Sequence, residues 1–192
     1  MEVLQTSHLH KSYGKIKAVN DLNLNIHQGM VFGLLGPNGS GKTTTLGIIL
    51  GILQYDAGNF TWFENQYGEK HRTRIGAILE TPNFYPYLNA IDNLKIVSLI
   101  KGVEDTNYDD LLKLVDLHHR KDSKFSSYSL GMKQRLAIAA TQIGDPDVLI
   151  FDEPTNGLDP QGIAEVRQIL KRIADTGKTV IMASHILDEV EK

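Results

Sequence analysis

The stretch Gly36-Pro37-Asn38-Gly39-Ser40-Gly41-Lys42-Thr43 decides the fold of this 192-residue chain. An apolar run at 30–35 leads into it, which predicts a buried strand, a glycine-rich loop and a helix that begins near Gly41. Glycines let several backbone N–H groups point at one anion, and the helix adds its positive dipole end. The stretch is therefore predicted to bind the phosphates of a nucleotide.

Two side chains of this loop have predicted roles of their own. Lys42 is expected to reach the terminal phosphates and to act in catalysis, and the Thr43 hydroxyl is expected to bind Mg²⁺. The alternative is a glycine-rich turn that only joins a strand to a helix. The loop alone does not separate kinases, GTPases, helicases and transport ATPases. The residues predicted to contact the nucleotide phosphates are Gly36, Asn38, Gly39, Ser40, Gly41, Lys42, Thr43 and Thr44.

Composition limits the classes of protein that fit. A hydrophobic fraction of 41% and a charged fraction of 22% are ordinary for a soluble globular domain. The net charge of -3 argues against broad binding of nucleic acid, and the chain has no cysteine for disulfides or thiolate metal sites. No apolar run approaches the roughly 20 residues that cross a bilayer, and no signal peptide is visible. A membrane-spanning part is expected to come from another chain.

The order of patterns along the chain predicts the domain organisation. Strand patterns at 22–26, 30–35, 58–63 and 75–79 surround a helix at 42–52. Three helical patterns follow within 85–143, and strands return at 148–151 and 179–182. We predict a nucleotide-binding core at about 1–84 and 144–192, with a helical subdomain at about 85–143. The last helical pattern runs to Lys192 without a stop signal, so a truncated C-terminus is expected.

Two acidic residues follow the strand pattern at 148–151. Asp152 is predicted to lie at the carboxyl edge of the sheet, where it can hold Mg²⁺ together with Thr43. Glu153 is placed to polarise a water for attack on the γ-phosphate, and Pro154 fixes the backbone beside it. The alternatives are an Asp that caps a turn and an exposed acidic residue. A general base here makes the reaction hydrolysis.

With these residues in order, the chain resembles the nucleotide-binding domain of an ABC transporter ATPase over essentially its whole length. The resemblance includes Asn156-Gly157-Leu158-Asp159, which matches the family's D-loop, and His185, which matches its switch histidine. It implies an α/β fold of the P-loop NTPase type: a mainly parallel sheet, an N-terminal antiparallel β portion and an inserted α-helical subdomain. It also implies that His185 contacts the γ-phosphate and orients water and Glu153.

The family signature, usually Leu-Ser-Gly-Gly-Gln, has an altered counterpart here. Ser129 and Gly131 match it, while Tyr128, Leu130 and Met132 depart from it. The resemblance implies that Ser129, Gly131 and the first N–H groups of the following helix bind the γ-phosphate held by a second protomer. The alternative is an ordinary helix cap at Ser129.

The resemblance implies two further contacts with the nucleotide. Tyr13 matches the aromatic residue that stacks on adenine, although an N-terminal Tyr is more often a packing residue. Glu80 stands where the family has a Gln that reaches Mg²⁺. A carboxylate is the stronger ligand, so Glu80→Gln is expected to change the Mg²⁺ dependence of hydrolysis. The alternative is a solvent-facing Glu80.

Glu80 and the Ser-Leu-Gly-Met signature resemble the branch that exports bacitracin and lantibiotic-type antimicrobial peptides. The implied protein is the ATP-hydrolysing subunit of such an exporter, with ATP and Mg²⁺ bound, at the inner face of the cell membrane. Its implied partners are separate membrane subunits and a second ATPase subunit, identical or not, and no nucleic acid. A DNA-repair or ribosome-associated ATPase and a small-molecule kinase are the alternatives; the kinase is disfavoured by Glu153 and His185.

Overall fold

The computed structural model describes residues 1–79 and 83–185. Its strands are β1 (Glu2–Tyr13), β2 (Ile16–His27), β3 (Val31–Leu35), β4 (Ala57–Trp62), β5 (Ile75–Ile78), β6 (Val148–Asp152) and β7 (Thr179–Ser184). Its α-helices are α1 (Lys42–Ile49), α2 (Ala90–Lys101), α3 (Tyr108–Leu114), α4 (Leu130–Thr141) and α5 (Pro160–Ala174). Short 3-10 helices span Phe63–Asn65, Gly68–Arg74, His118–Arg120 and Phe125–Ser127.

The central layer is a parallel sheet with the strand order β3-β7-β6-β5. Every residue of β6 and β7 is buried, as their unbroken apolar patterns predict for strands covered on both faces. Successive residues of each strand point to opposite faces of the sheet. Leu149 and Phe151 therefore belong to one hydrophobic cluster, while Ile150 belongs to another.

A second sheet, antiparallel and with the order β2-β1-β4, is built from the N-terminal strands. β1 and β2 form a long hairpin that closes at the pair Tyr13 and Ile16. Side chains of this sheet, such as Leu4 and Trp62, share a cluster with Leu46 of α1 and Ile150 of β6. The prediction of a mainly parallel sheet with an N-terminal antiparallel portion is confirmed.

Helices α2, α3 and α4 lie between β5 and β6 in the chain, and the described residues of that segment contain no strand. Their buried side chains share a cluster with α5 and one face of the parallel sheet, including Leu94, Leu136 and Phe151. Asn107 caps α3, since its side chain accepts a hydrogen bond from the N–H of Asp110. The division into an ATPase core and a helical subdomain remains a prediction.

Several element boundaries differ from the sequence patterns; β2, for example, begins at Ile16 and not at residue 22. α1 ends at Ile49 and not at Ile52, because the N–H groups of Ile52 and Leu53 both turn back to the carbonyl of Gly47. β4 spans Ala57–Trp62, because Phe63 already has a left-handed backbone with φ 50° and opens a 3-10 helix. Among the described helices, none combines the length and the apolar character that crossing a membrane requires.

Candidate functional site

Three strands of the parallel sheet end beside one another, and their ends carry the predicted site residues. Leu35 at the end of β3 pairs with Ser184 of β7, and Asp152 at the end of β6 pairs with Ala183. The N–H of Glu153 donates to the carbonyl of Ala183 at 2.9 Å, so the chain stays attached to β7 after β6 ends. The glycine-rich loop, the two acidic residues and His185 therefore meet at the carboxyl edge of the sheet.

The glycine-rich loop passes very close to the β1–β2 hairpin. Gly41, the N-cap of α1, has a left-handed backbone with φ 90°. A β-carbon built on Gly41 would lie 1.9 Å from the carbonyl oxygen of Ala18 in β2. Only glycine fits such an approach, because any side chain would overlap that oxygen. The contact fixes the position of the hairpin relative to the start of α1.

Lys42 is buried, and its ammonium group is surrounded by acceptors. The Nζ atom donates hydrogen bonds to the carbonyls of Gly36 at 2.6 Å and Pro37 at 3.1 Å. It also lies 3.3 Å from Oε1 of Glu153, which makes an ion pair. Oε1 itself is buried and receives no hydrogen bond from any described group. In this structure the cation that is predicted to hold phosphate is paired with the predicted general base.

Thr43 and Asp152 are in direct contact. The hydroxyl of Thr43 donates to Oδ2 of Asp152 at 2.6 Å, while Oδ1 of Asp152 is buried without a hydrogen-bond partner among the described residues. No group of three or more histidine and acidic side chains in residues 1–79 and 83–185 is arranged to hold a metal. One hydroxyl and one carboxylate with a free oxygen fit Mg²⁺ that also binds nucleotide phosphates, since Mg²⁺ commonly takes few protein ligands.

Glu153 is held in an unusual position by the fold. Its backbone is left-handed, with φ 49°. Because an ionised carboxylate only accepts hydrogen bonds, Nδ1–H of His185 must be the donor to Oε2 of Glu153, at 2.6 Å. The sequence predicted that His185 would orient Glu153, and the two side chains do meet. Lys42, Glu153 and His185 thus form a continuous polar chain across the strand ends.

A cleft of about 290 Å³ lies over the glycine-rich loop. Tyr13 lines it, half exposed, together with Asn38, Gly39, Gly41, Lys42, Thr43, Thr44 and Glu153. Two further lining residues, Ile16 and Ala18, were missed by the sequence reasoning. Ile16 is 69% exposed, yet it is an apolar side chain directly across the hairpin from Tyr13. That pairing of an aromatic and an aliphatic side chain around a short turn was the available signal.

Ser129 and Gly131 lie elsewhere. The Ser129 side chain caps α4 and accepts from the N–H of Met132 at 3.3 Å. Neither Ser129 nor Gly131 is among the described residues that line the cleft with Lys42. Asp159 caps α5 in the same way and accepts from the N–H of Gly162 at 2.9 Å. Glu80, the predicted metal ligand, lies outside the described residues.

A glycine loop that opens a helix beside a Thr–Asp pair at the carboxyl edge of a parallel sheet defines a nucleotide-binding α/β domain. A family model described as ABC transporter matches residues 19–156. The chain belongs to this family and is an ABC transporter ATP-binding domain.

Known relatives match almost the whole chain. The bacitracin transport ATP-binding protein BcrA of Enterococcus faecalis is 42% identical over 195 residues, which are 99% of this chain and 63% of that protein. The lantibiotic transport ATP-binding protein SrtF of Streptococcus pyogenes is 42% identical over 189 residues, 98% of this chain and 82% of that protein. The chain therefore spans less than two thirds of the bacitracin protein.

Solved structures share the fold. The structure of cbiO1 from Clostridium perfringens, part of the ABC transporter complex cbiONQ, has a TM-score of 0.83 at 30% identity and covers 98% of this chain and 80% of its own. The ATP-binding cassette MJ0796, a dimer in a post-hydrolysis state bound to ADP and Pi, has a TM-score of 0.82 at 27% identity. That match covers 97% of this chain and 90% of the other.

Proposed function

We propose that this chain binds ATP with Mg²⁺ and hydrolyses it to drive an ABC transporter. The observation that carries the proposal is the polar chain from Lys42 through Glu153 to His185, beside the Thr43–Asp152 pair. These groups supply a cation for phosphate, a base for water and a partner for the base. A domain that only bound nucleotide would have no need for the last two.

In the proposed reaction, phosphate oxygens take the place of Glu153 beside Lys42. Oε1 of Glu153 is then free to accept a proton from water as the water oxygen attacks the γ-phosphorus. The bond to the β–γ bridging oxygen breaks, and ADP and phosphate leave. His185 keeps Oε2 of Glu153 hydrogen-bonded, so Oε1 is the oxygen left for water. Thr43 and Asp152 would hold Mg²⁺, which would supply charge neutralisation for the phosphates when bound.

The complete pocket is proposed to need two protomers. Ser129 and Gly131 are absent from the lining of the cleft that contains Lys42, which supports a role toward the nucleotide of a second copy. The dimeric MJ0796 structure with ADP and Pi supports such an assembly. Charge-assisted hydrogen bonds contribute roughly 1.5–3 kcal/mol each. Moving a dimer from almost fully closed to almost fully open takes about 5.5 kcal/mol. Losing a few of these hydrogen bonds when the γ-phosphate leaves would supply that change.

The cargo and the partners are proposed from the relatives. The bacitracin and lantibiotic transport proteins support an antimicrobial peptide or a similar amphipathic compound as cargo. Separate membrane subunits would carry it, with this chain bound at the inner face of the membrane. Co-purification with an integral membrane protein in detergent would support this assignment, whereas co-sedimentation with ribosomes would favour the non-transport alternative.

Steady-state hydrolysis by the purified chain tests the activity. Glu153→Gln should bind ATP, lose about a hundredfold or more in turnover, and accumulate as an ATP-bound dimer. Glu104→Gln, at an exposed position in the loop after α2, is the matched control and should hydrolyse at the wild-type rate. Wild-type turnover by Glu153→Gln would show that the general base lies elsewhere.

A further inference from the structure

Two leucines and two glycines interlock where the start of α4 meets the loop at 156–159. A β-carbon built on Gly157 would lie 3.3 Å from Cδ2 of Leu130, the first residue of α4. A β-carbon built on Gly131 would lie 3.9 Å from Cδ2 of Leu158. Each leucine therefore lies over the glycine beside the other leucine. We call these four residues the Leu–Gly interlock.

The interlock joins two helix starts. Leu130 follows Ser129, the cap of α4, and Leu158 precedes Asp159, the cap of α5. Leu158 also packs against the hydrophobic cluster shared by the helices and the parallel sheet, so the loop side of the interlock is anchored. Farther along, Arg135 of α4 lies 3.6 Å from Glu165 of α5. The two helices are thus linked by apolar contact at their starts and by an ion pair beyond.

Leu130 is one of the three residues, with Tyr128 and Met132, that depart from the family signature. It is 44% exposed, so burial in the core does not account for a large apolar side chain here. Packing against Gly157 does account for it, because a side chain at position 157 would occupy the space that Leu130 uses. Gly157 also has φ +76°, a backbone that disfavours other residues.

We propose that Leu130 is a positioning residue that fixes Ser129 relative to the loop at 156–159. Through the interlock, the phosphate-binding start of α4 and this loop keep one arrangement when a second protomer approaches. The inference rests on the proposed function, in which Ser129 meets the nucleotide of that protomer. A glycine at position 130 would leave the helix start free to move against the loop.

The test compares Leu130→Ala with Leu130→Met, which restores most of the contact, and with Leu99→Ala, which removes a 79% exposed leucine on α2. Leu130→Ala should lower kcat about fivefold or more and leave ADP affinity at high dilution within about twofold. Leu130→Met and Leu99→Ala should stay within about twofold in both measurements. Unchanged kcat in Leu130→Ala, or an equal loss of ADP affinity, would overturn the proposal.

A size exchange tests the contact itself. Gly157→Ala should lower kcat by a smaller factor in the Leu130→Ala background than in the wild type, because the new methyl group then has room. If the fold losses in kcat of the two single variants simply multiply in the double variant, the interlock is contradicted.

Amide hydrogen exchange distinguishes this inference from the proposed function. Leu130→Ala should speed exchange at Met132 and Leu158 together even in a chain that does not hydrolyse ATP, and unchanged exchange would refute the link.

Discussion

The Nζ atom of Lys42 lies 3.3 Å from Oε1 of Glu153, so the proposed phosphate-binding cation and the proposed general base neutralise each other. A nucleotide must separate the pair before its phosphates reach Lys42. The ion pair therefore opposes nucleotide binding, and binding frees the carboxylate for catalysis. The base becomes available only when a phosphate has taken its place.

This relationship predicts the affinity for ADP, which has no γ-phosphate and is not hydrolysed. Glu153→Gln should bind ADP about threefold or more tightly, because Lys42 no longer leaves an ion pair. Glu153→Asp keeps the charge but is one methylene shorter, and it should also bind more tightly. Titration calorimetry at protein concentrations where the chain is a monomer measures both. Tighter binding in the Gln variant alone would mean that charge repulsion, and not the ion pair, opposes ADP.

The Thr43–Asp152 contact predicts the Mg²⁺ dependence. Thr43→Val removes the hydroxyl that lies 2.6 Å from Oδ2 of Asp152, and should raise the half-saturating Mg²⁺ concentration for hydrolysis by about tenfold or more. Thr43→Ser keeps the hydroxyl and should resemble the wild type. Mg²⁺ titrations at fixed ATP give the comparison. A Val variant with the wild-type Mg²⁺ curve would remove Thr43 from the metal site.

Gly41 and Gly39 form a matched pair for testing the close approach of the hairpin. Both have positive φ, but a β-carbon on Gly41 would lie 1.9 Å from the Ala18 oxygen, whereas one on Gly39 would meet nothing within 4 Å. Gly41→Ala should reduce the free energy of unfolding by about 3 kcal/mol or more, and Gly39→Ala by about 1 kcal/mol. Urea unfolding measures the difference. Equal losses would indicate backbone strain without the contact.

Asp56 predicts a pH dependence at the hairpin tip beside Tyr13. Its carboxylate accepts from Nζ of Lys11 at 3.0 Å and from the N–H of Ser12 at 2.6 Å. The Lys11 hydrogen bond, above all, lowers the pKa of Asp56 below its usual value. The stabilising contribution is therefore present above the unfolded-state pKa of about 3.9 and is lost as pH falls through the lower folded value.

The consequence at neutral pH is a full contribution from Asp56. Asp56→Asn should raise KM for ATP about threefold without changing kcat, if Tyr13 contacts adenine, because the hairpin tip is then less firmly held. Asp92→Asn, which loses a surface pair with Lys95 on α2, is the control and should change neither constant. If kcat fell together with the rise in KM, the effect could not be assigned to adenine binding alone.

Much of the fold could be predicted because its signals are local. The apolar run before the glycine loop, the capping residues Ser129 and Asp159, and the strand that ends in Asp152 are each read from a few neighbouring residues. The Lys42–Glu153 ion pair could not be predicted in that way. It joins residues that are far apart in sequence and depends on a left-handed backbone at Glu153 that no residue type signals.

The end of the cleft near Tyr13 shows the same limit of prediction from local sequence. Tyr13 was predicted from a resemblance, but Ile16 and Ala18 belong to the site only because β1 and β2 form a hairpin next to Gly41. The predicted end of α1 was wrong because the backbone of residues 52 and 53 folds back onto Gly47, a contact that periodicity does not encode. Backbone contacts decided both cases: the approach of β2 to Gly41 in one, and local hydrogen bonds to Gly47 in the other.

The alignment of β7 with its neighbours has a consequence for folding. Leu35 faces Ser184, and Asp152 faces Ala183. Misalignment by a single residue would shift His185 by about 3.3 Å along the strand and turn Val180 and Met182 toward the opposite layer. Such a molecule would have nearly the same sheet and no competent catalytic edge. The burial of each β7 side chain in its proper layer therefore also sets the position of the polar residues at the carboxyl edge of the sheet.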